Sequence, residues 1–160
     1  MTVAYMETIR ARYERLGYAP YRWFRADTAP PWAALKKPLD RARLGLISTA
    51  GVYALGQCAY HYKDDASIRA IPAATPREAL RFSHITENYL VDAKHDPDCI
   101  FPLGTLRRLA ANNVIGGLAE RVFSCMGGIY SQRRVREEVA PALREACARD
   151  PVDAVLLVAM

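Results

Sequence analysis

Val122-Phe-Ser-Cys-Met-Gly-Gly-Ile-Tyr-Ser131, together with Asp150-Pro-Val-Asp-Ala-Val-Leu-Leu-Val-Ala-Met160, decides the fold. Val122 to Met126 is an apolar run of strand length that stops at the turn formers Gly127 and Gly128. Ser131 then offers a side-chain cap to a helix whose Val135, Val139, Ala142, Leu143 and Ala146 fall on one face. Pro141 has no amide hydrogen and is expected to kink or split that helix. Asp150-Pro151 closes it, and Val152 to Val158 is again apolar and β-branched. Strand, helix and strand in this order make a βαβ unit, whose two strands run parallel.

Working outward, Arg43-Leu-Gly-Leu-Ile-Ser-Thr49 reads as another buried strand, bounded by Ala50 and Gly51. Strands dense in Val, Ile and Leu that alternate with helices imply an α/β fold in three layers. The sheet is mostly parallel, with helices on both faces. The apolar tail reads as an inner strand with no loop or helix after it, so the sheet is expected to be incomplete at the C-terminus.

At the other end, Thr2 can cap a helix carrying Val3, Met6, Ile9, Tyr13 and Leu16 at helical spacing, and Gly17 can end it in a left-handed conformation. Tyr18 to Pro38 holds Pro20, Pro30, Pro31, Pro38, Trp23 and Trp32, which suits an extended arm laid on its own domain or on a partner. The expected organisation is therefore a helix and arm over 1–38 and an α/β body over 39–160, within one domain. Between Val52 and Pro102 the pattern is irregular, apart from Thr75-Pro-Arg-Glu78. That stretch has the form of a capping box and predicts a short helix over Pro76 to Leu80, then an extended Arg81-Phe-Ser-His84. Leu106 and Leu109 mark a helix over Thr105 to Ala111, ended by Asn112, Asn113, Gly116 and Gly117.

The 160 residues, 51% of them hydrophobic, suit one domain with a real core. The longest apolar run is far shorter than the roughly 20 residues of a membrane span, and the N-terminus has no basic segment leading into an apolar one, so no membrane association is expected. Four cysteines without CxxC spacing do not form a disulfide scaffold and point to a reducing cytoplasm. A net charge of +5 raises the question of nucleic acid, but the 22 basic and 17 acidic residues are interspersed, and no nucleic-acid partner is expected. Cys58, His61, Asp64 and Asp65 bear ligand atoms, yet their neighbours read as an ordinary loop, so no metal is expected. The charges of Arg133, Arg134, Arg136, Glu137 and Glu138 read as a solvated helix face.

Ligands of open parallel sheets bind at the carboxyl ends of the strands. The candidate binding residues are accordingly Ser48, Thr49 and Gly51 after one strand, and Gly127 and Gly128 after another. Free N–H groups at the second turn could hold a carboxylate or phosphate. His84, after its extended segment, could orient a substrate or act as an acid, and Cys125 could act as a nucleophile.

Leu35-Lys-Lys-Pro-Leu39, Arg43 to Gly51, Arg81-Phe-Ser-His84, Phe101-Pro-Leu103, Ile115-Gly116 and Met126-Gly127, in this order and spacing, resemble the selenoprotein B family of glycine/betaine/sarcosine/D-proline reductases. The resemblance runs from Leu35 over most of the chain. It implies a selenocysteine-dependent reductase acting on a small amino-acid-like substrate, with partner subunits or a homo-oligomer, and no other cofactor in this chain. It also implies that the selenocysteine lies just after the strand matching Val152 to Met160, with a cysteine soon after. Selenocysteine is encoded by UGA, so a host reading that codon as stop yields a chain of this extent, inactive by itself. From the residues alone, a stand-alone domain that binds a small anion or serves as a partner subunit stays open.

Overall fold

The computed structural model describes residues 4–20 and 25–160; the expected cap Thr2, Val3 and the arm's Trp23 lie outside them. The chain forms two compact units, up to Ala34 and from Leu35 onward. In the first, α1 spans Tyr5–Arg15. Gly17 ends it at φ +76°, where Tyr18 N–H donates to Tyr13 O and Gly17 N–H to Glu14 O. This is the Schellman arrangement, and the Tyr13 and Tyr18 rings, 6.0 Å apart, supply its apolar contact.

The second unit runs through β1 (Arg43–Ser48), β2 (Val52–Ala54), β3 (Arg69–Pro72), β4 (Leu80–Phe82), α2 (Val91–His95), α3 (Leu103–Ala111), β5 (Gly117–Leu118), β6 (Arg121–Ser124), α4 (Gln132–Arg134), α5 (Ala140–Arg149) and β7 (Ala154–Val158). In the main sheet β1 has β7 along one side and, along the other, β5 at its start and β6 at its end, all parallel to it. β3 joins β6 antiparallel. A separate antiparallel pair, β2 with β4, stands apart from the sheet. The α/β reading therefore holds, with one antiparallel strand on a mostly parallel sheet. No helix among the described residues is long and apolar enough to cross a membrane.

Alternation sorts the strand residues between two faces. Leu46 and Val122 of one face pack with Leu103 and Leu106 of α3 and with Val52, Ala54 and Leu80 of the small pair, around a fully buried Phe101. Over the other face lie α4, a π-helical stretch at Val135–Val139, and α5. Ser131 caps α4 through Arg134 N–H, as its position predicts. Pro141 takes the second position of α5, directly after the π turn, which is where a residue without an N–H is tolerated.

Two expectations are corrected. Thr75 makes no side-chain cap, and Pro76 is extended (ψ 154°), so Arg77–Ala79 forms only a 3-10 turn. The reason is tertiary: Leu80 must already be extended to pair with Ala54. The stretch from Val52 to Pro102 is not irregular but contains three strands, all four residues or shorter. β7 is bonded to β1 alone and so stands at the margin of the sheet among the described residues, in keeping with a sheet left incomplete at that side.

Candidate functional site

β1, β6 and β7 end side by side, and short backbone links tie the loops that follow them. Gly51 N–H donates to Cys125 O and Cys125 N–H to Ser48 O, at 3.0 and 2.9 Å, while Ala50 bridges Met126. Thr49 joins β1 to β7: its N–H donates to Val158 O at 3.0 Å, and its Oγ1 accepts from Met160 N–H at 2.9 Å. Gly51, at φ +64°, is required by both conformation and space, since a β-carbon there would lie 2.1 Å from Ser83 O. Ser83 N–H in turn donates to Gly51 O, so the segment carrying His84 is stitched to the end of β1.

The structure thereby brings Thr49, Gly127 and His84 together. A β-carbon on Gly127 would stand 2.9 Å from Thr49 O, 3.0 Å from Met160 O and 3.1 Å from His84 Nε2. His84 is 7% exposed. Its Nδ1 accepts from Thr86 N–H at 3.1 Å and lies 2.6 Å from Thr86 Oγ1, so the neutral ring carries its proton on Nε2. That Nε2 is buried with no partner in hydrogen-bond geometry, although the Thr49 carbonyl lies close enough to favour the charged ring. Burial outweighs this and holds the imidazole below the usual histidine range.

Cys125 is buried, and desolvation pushes its thiol up to about 11, so at neutral pH it is a thiol and not a thiolate. Ser48 and Ser124 are fully buried and serve the scaffold. Ser48 Oγ donates to Ile100 O and accepts from Ala50 N–H, while Ser124 Oγ accepts from Val52 N–H. Gly128 lies against Ile85: a β-carbon there would come 2.2 Å from Ile85 Cγ2.

Two residues at this end have roles that the sequence does not show. Tyr60 is buried, donates its phenol to Ser124 O at 2.6 Å and lies under the Arg69 guanidinium; burial raises its pKa. Asp64, at φ +49°, accepts from Tyr130 N–H at 2.7 Å and from Ser131 N–H at 3.3 Å. Amides of the turn that could hold a carboxylate thus hold one from this chain. Only the unusual Asp64-Asp65 pair in a loop hinted at it.

Beside Gly127 opens an apolar cavity of about 750 Å³ between the sheet face and α5. Ile47, Val139, Leu143, Val155 and Leu157 line it, with Cys125 and Cys147 the two thiols in its wall. Among the described residues no cluster of His, Cys, Asp and Glu could hold a metal ion, and Cys58, His61, Asp64 and Asp65 do not converge on one.

Residues over 82% of the chain match a known protein, the D-proline reductase subunit gamma of Acetoanaerobium sticklandii, with 32% identity over 133 residues. The chain is similar to a reductase subunit. It spans about half the length of that relative, 54%. No family profile matches the chain, and no solved structure does. The likeness agrees with the reductase part of the resemblance noted in the sequence.

Proposed function

We propose that this chain is the amino-terminal portion of a reductase-complex component of the glycine/betaine/sarcosine/D-proline type, and that its reaction crevice is the strand-end site around Thr49, His84 and Gly127. One observation carries the reading: the similarity to a D-proline reductase subunit, which runs over most of the chain. The geometry supports it, because a buried donor without a partner, His84 Nε2, lies beside the end of β7. A selenocysteine following Met160, as the sequence resemblance implies, would supply a selenol ionised at neutral pH. His84 fits that group, since an N–H in a desolvated site stabilises an adjacent anion. Thr49 fixes the end of β7 through its amide and hydroxyl, and Thr86 fixes the imidazole tautomer. The substrate class proposed is a small amino acid, met in company with partner subunits.

The downstream DNA tests the selenium reading. A TGA codon after Met160 with the frame continuing is expected; TAA, TAG or an immediate close of the frame overturns it. The reductase reading is tested by expressing the continued frame with its neighbouring open reading frames and following the loss of D-proline, glycine, sarcosine and betaine with a dithiol as reductant. No consumption of any of the four by an assembled complex overturns it.

A further inference from the structure

The outer edge of β7 has no pairing partner among the described residues. Its sequence, Ala154-Val-Leu-Leu-Val158, contains no charge, proline or glycine of the kind that protects a free edge. Leu157 is 71% exposed and Leu156 39%, one on each face of the strand. On the Leu157 face the apolar cavity begins, bounded by α5, which buries no residue fully. A small apolar molecule would fill the cavity but would leave the backbone edge and Leu156 bare. A polypeptide strand covers all three.

The length of the relative says what kind of polypeptide. A little under half of it has no counterpart in this chain, although the matched part reaches most of the residues described above. We propose that the edge of β7 receives an added strand from the polypeptide equivalent to that unmatched part, with apolar side chains at alternate positions seated against Leu157 and in the cavity under α5. The inference rests on the relationship to the longer subunit, as the proposed function does, but it concerns assembly and not chemistry.

The test joins the unmatched segment of the gamma subunit behind Met160 through a flexible linker and, in a second arm, co-expresses it as a separate chain. Amide hydrogen exchange at residues 154–158 is read in both and compared with the 160-residue chain alone. At least tenfold slower exchange is expected in the joined protein, with recovery of the two chains together in the second arm. Leu157→Asp should reverse the slowing while leaving the melting temperature of the chain alone within a few degrees, since Leu157 is exposed there. Unchanged exchange in the joined protein overturns the proposal. So does slow exchange in the chain alone with a dimer on sizing, which would make a second copy the occupant. A failure here with a continuing frame and substrate consumption leaves the reductase reading standing.

Discussion

His84 Nε2 stands 3.1 Å from the point that a β-carbon on Gly127 would occupy, so the loop after β4 and the turn after β6 close on one spot at the end of β7. Gly127→Ala must displace that imidazole or the two carbonyls beside it. A loss of about 1–3 kcal/mol is expected, the usual range for overpacking, read as a fall in the denaturant midpoint. An unchanged midpoint would mean that the three strand ends are looser than they stand here.

Gly51→Ala should cost more, about 2–4 kcal/mol, because a left-handed conformation and a collision with backbone at Ser83 O act together. Gly128→Ala meets a side chain instead, Ile85 Cγ2. Its cost should be smaller, and the double variant Gly128→Ala with Ile85→Ala should be more stable than the sum of the two single losses implies. Additive losses in that cycle would sink the contact.

Burial lowers the pKa of His84 in the folded state, so the unfolded chain binds the proton more readily. The contribution to stability is therefore complete above the ordinary histidine pKa of about 6.5 and is lost as pH falls below it toward the folded value. Urea unfolding at pH 7.5 and at pH 5 should show a drop that His84→Gln makes shallower. An identical drop in the variant would assign the acid sensitivity elsewhere.

α3 begins after Pro102 with no cap of its own, and Asp98 supplies one from the preceding turn, accepting from Gly104 N–H at 2.9 Å and from Thr105 Oγ1 at 2.6 Å. Asp98→Ala should destabilise by about 1–2 kcal/mol, as loss of a helix cap does. Thermal unfolding by circular dichroism checks it.

Thiol accessibility provides a fifth comparison. Cys58 and Cys99 are exposed, Cys147 is half-buried and Cys125 is buried with its pKa pushed up to about 11. At pH 7.5 an aromatic disulfide reagent should label Cys58 first and Cys125 last, and denaturant should release all four together. Equal native rates at Cys58 and Cys125 would contradict the burial of the β6 end.

The long elements were legible because each carries its own period. Val122 to Met126, the stripe from Val135 to Ala146, and Val152 to Val158 announce strand, helix and strand without help from the rest of the chain. β2 and β3 were not, because strands of three or four residues are too short to display alternation; of β4 only the extended Arg81-Phe82 was legible, since Leu80 owes its form to Ala54 far away. Of the site, Thr49, His84 and Gly127 were read from strand-end position and from the family likeness, and they meet. Asp64 and Tyr60 act through residues 64 or more positions distant, a relation that no local pattern records.

The π turn at Val135–Val139 holds one residue more than an α turn would. Since each helical residue advances about 100° around the axis, the side-chain pattern behind it is offset by that much from that of an unbroken α-helix. Val139 is buried, while in α5 beyond it Leu143 and Cys147 are half-buried against the cavity. Removing one residue from this turn would leave an ordinary α turn in its place, so this is where the segment can lose a residue while Leu143 and Cys147 keep their places in the cavity wall.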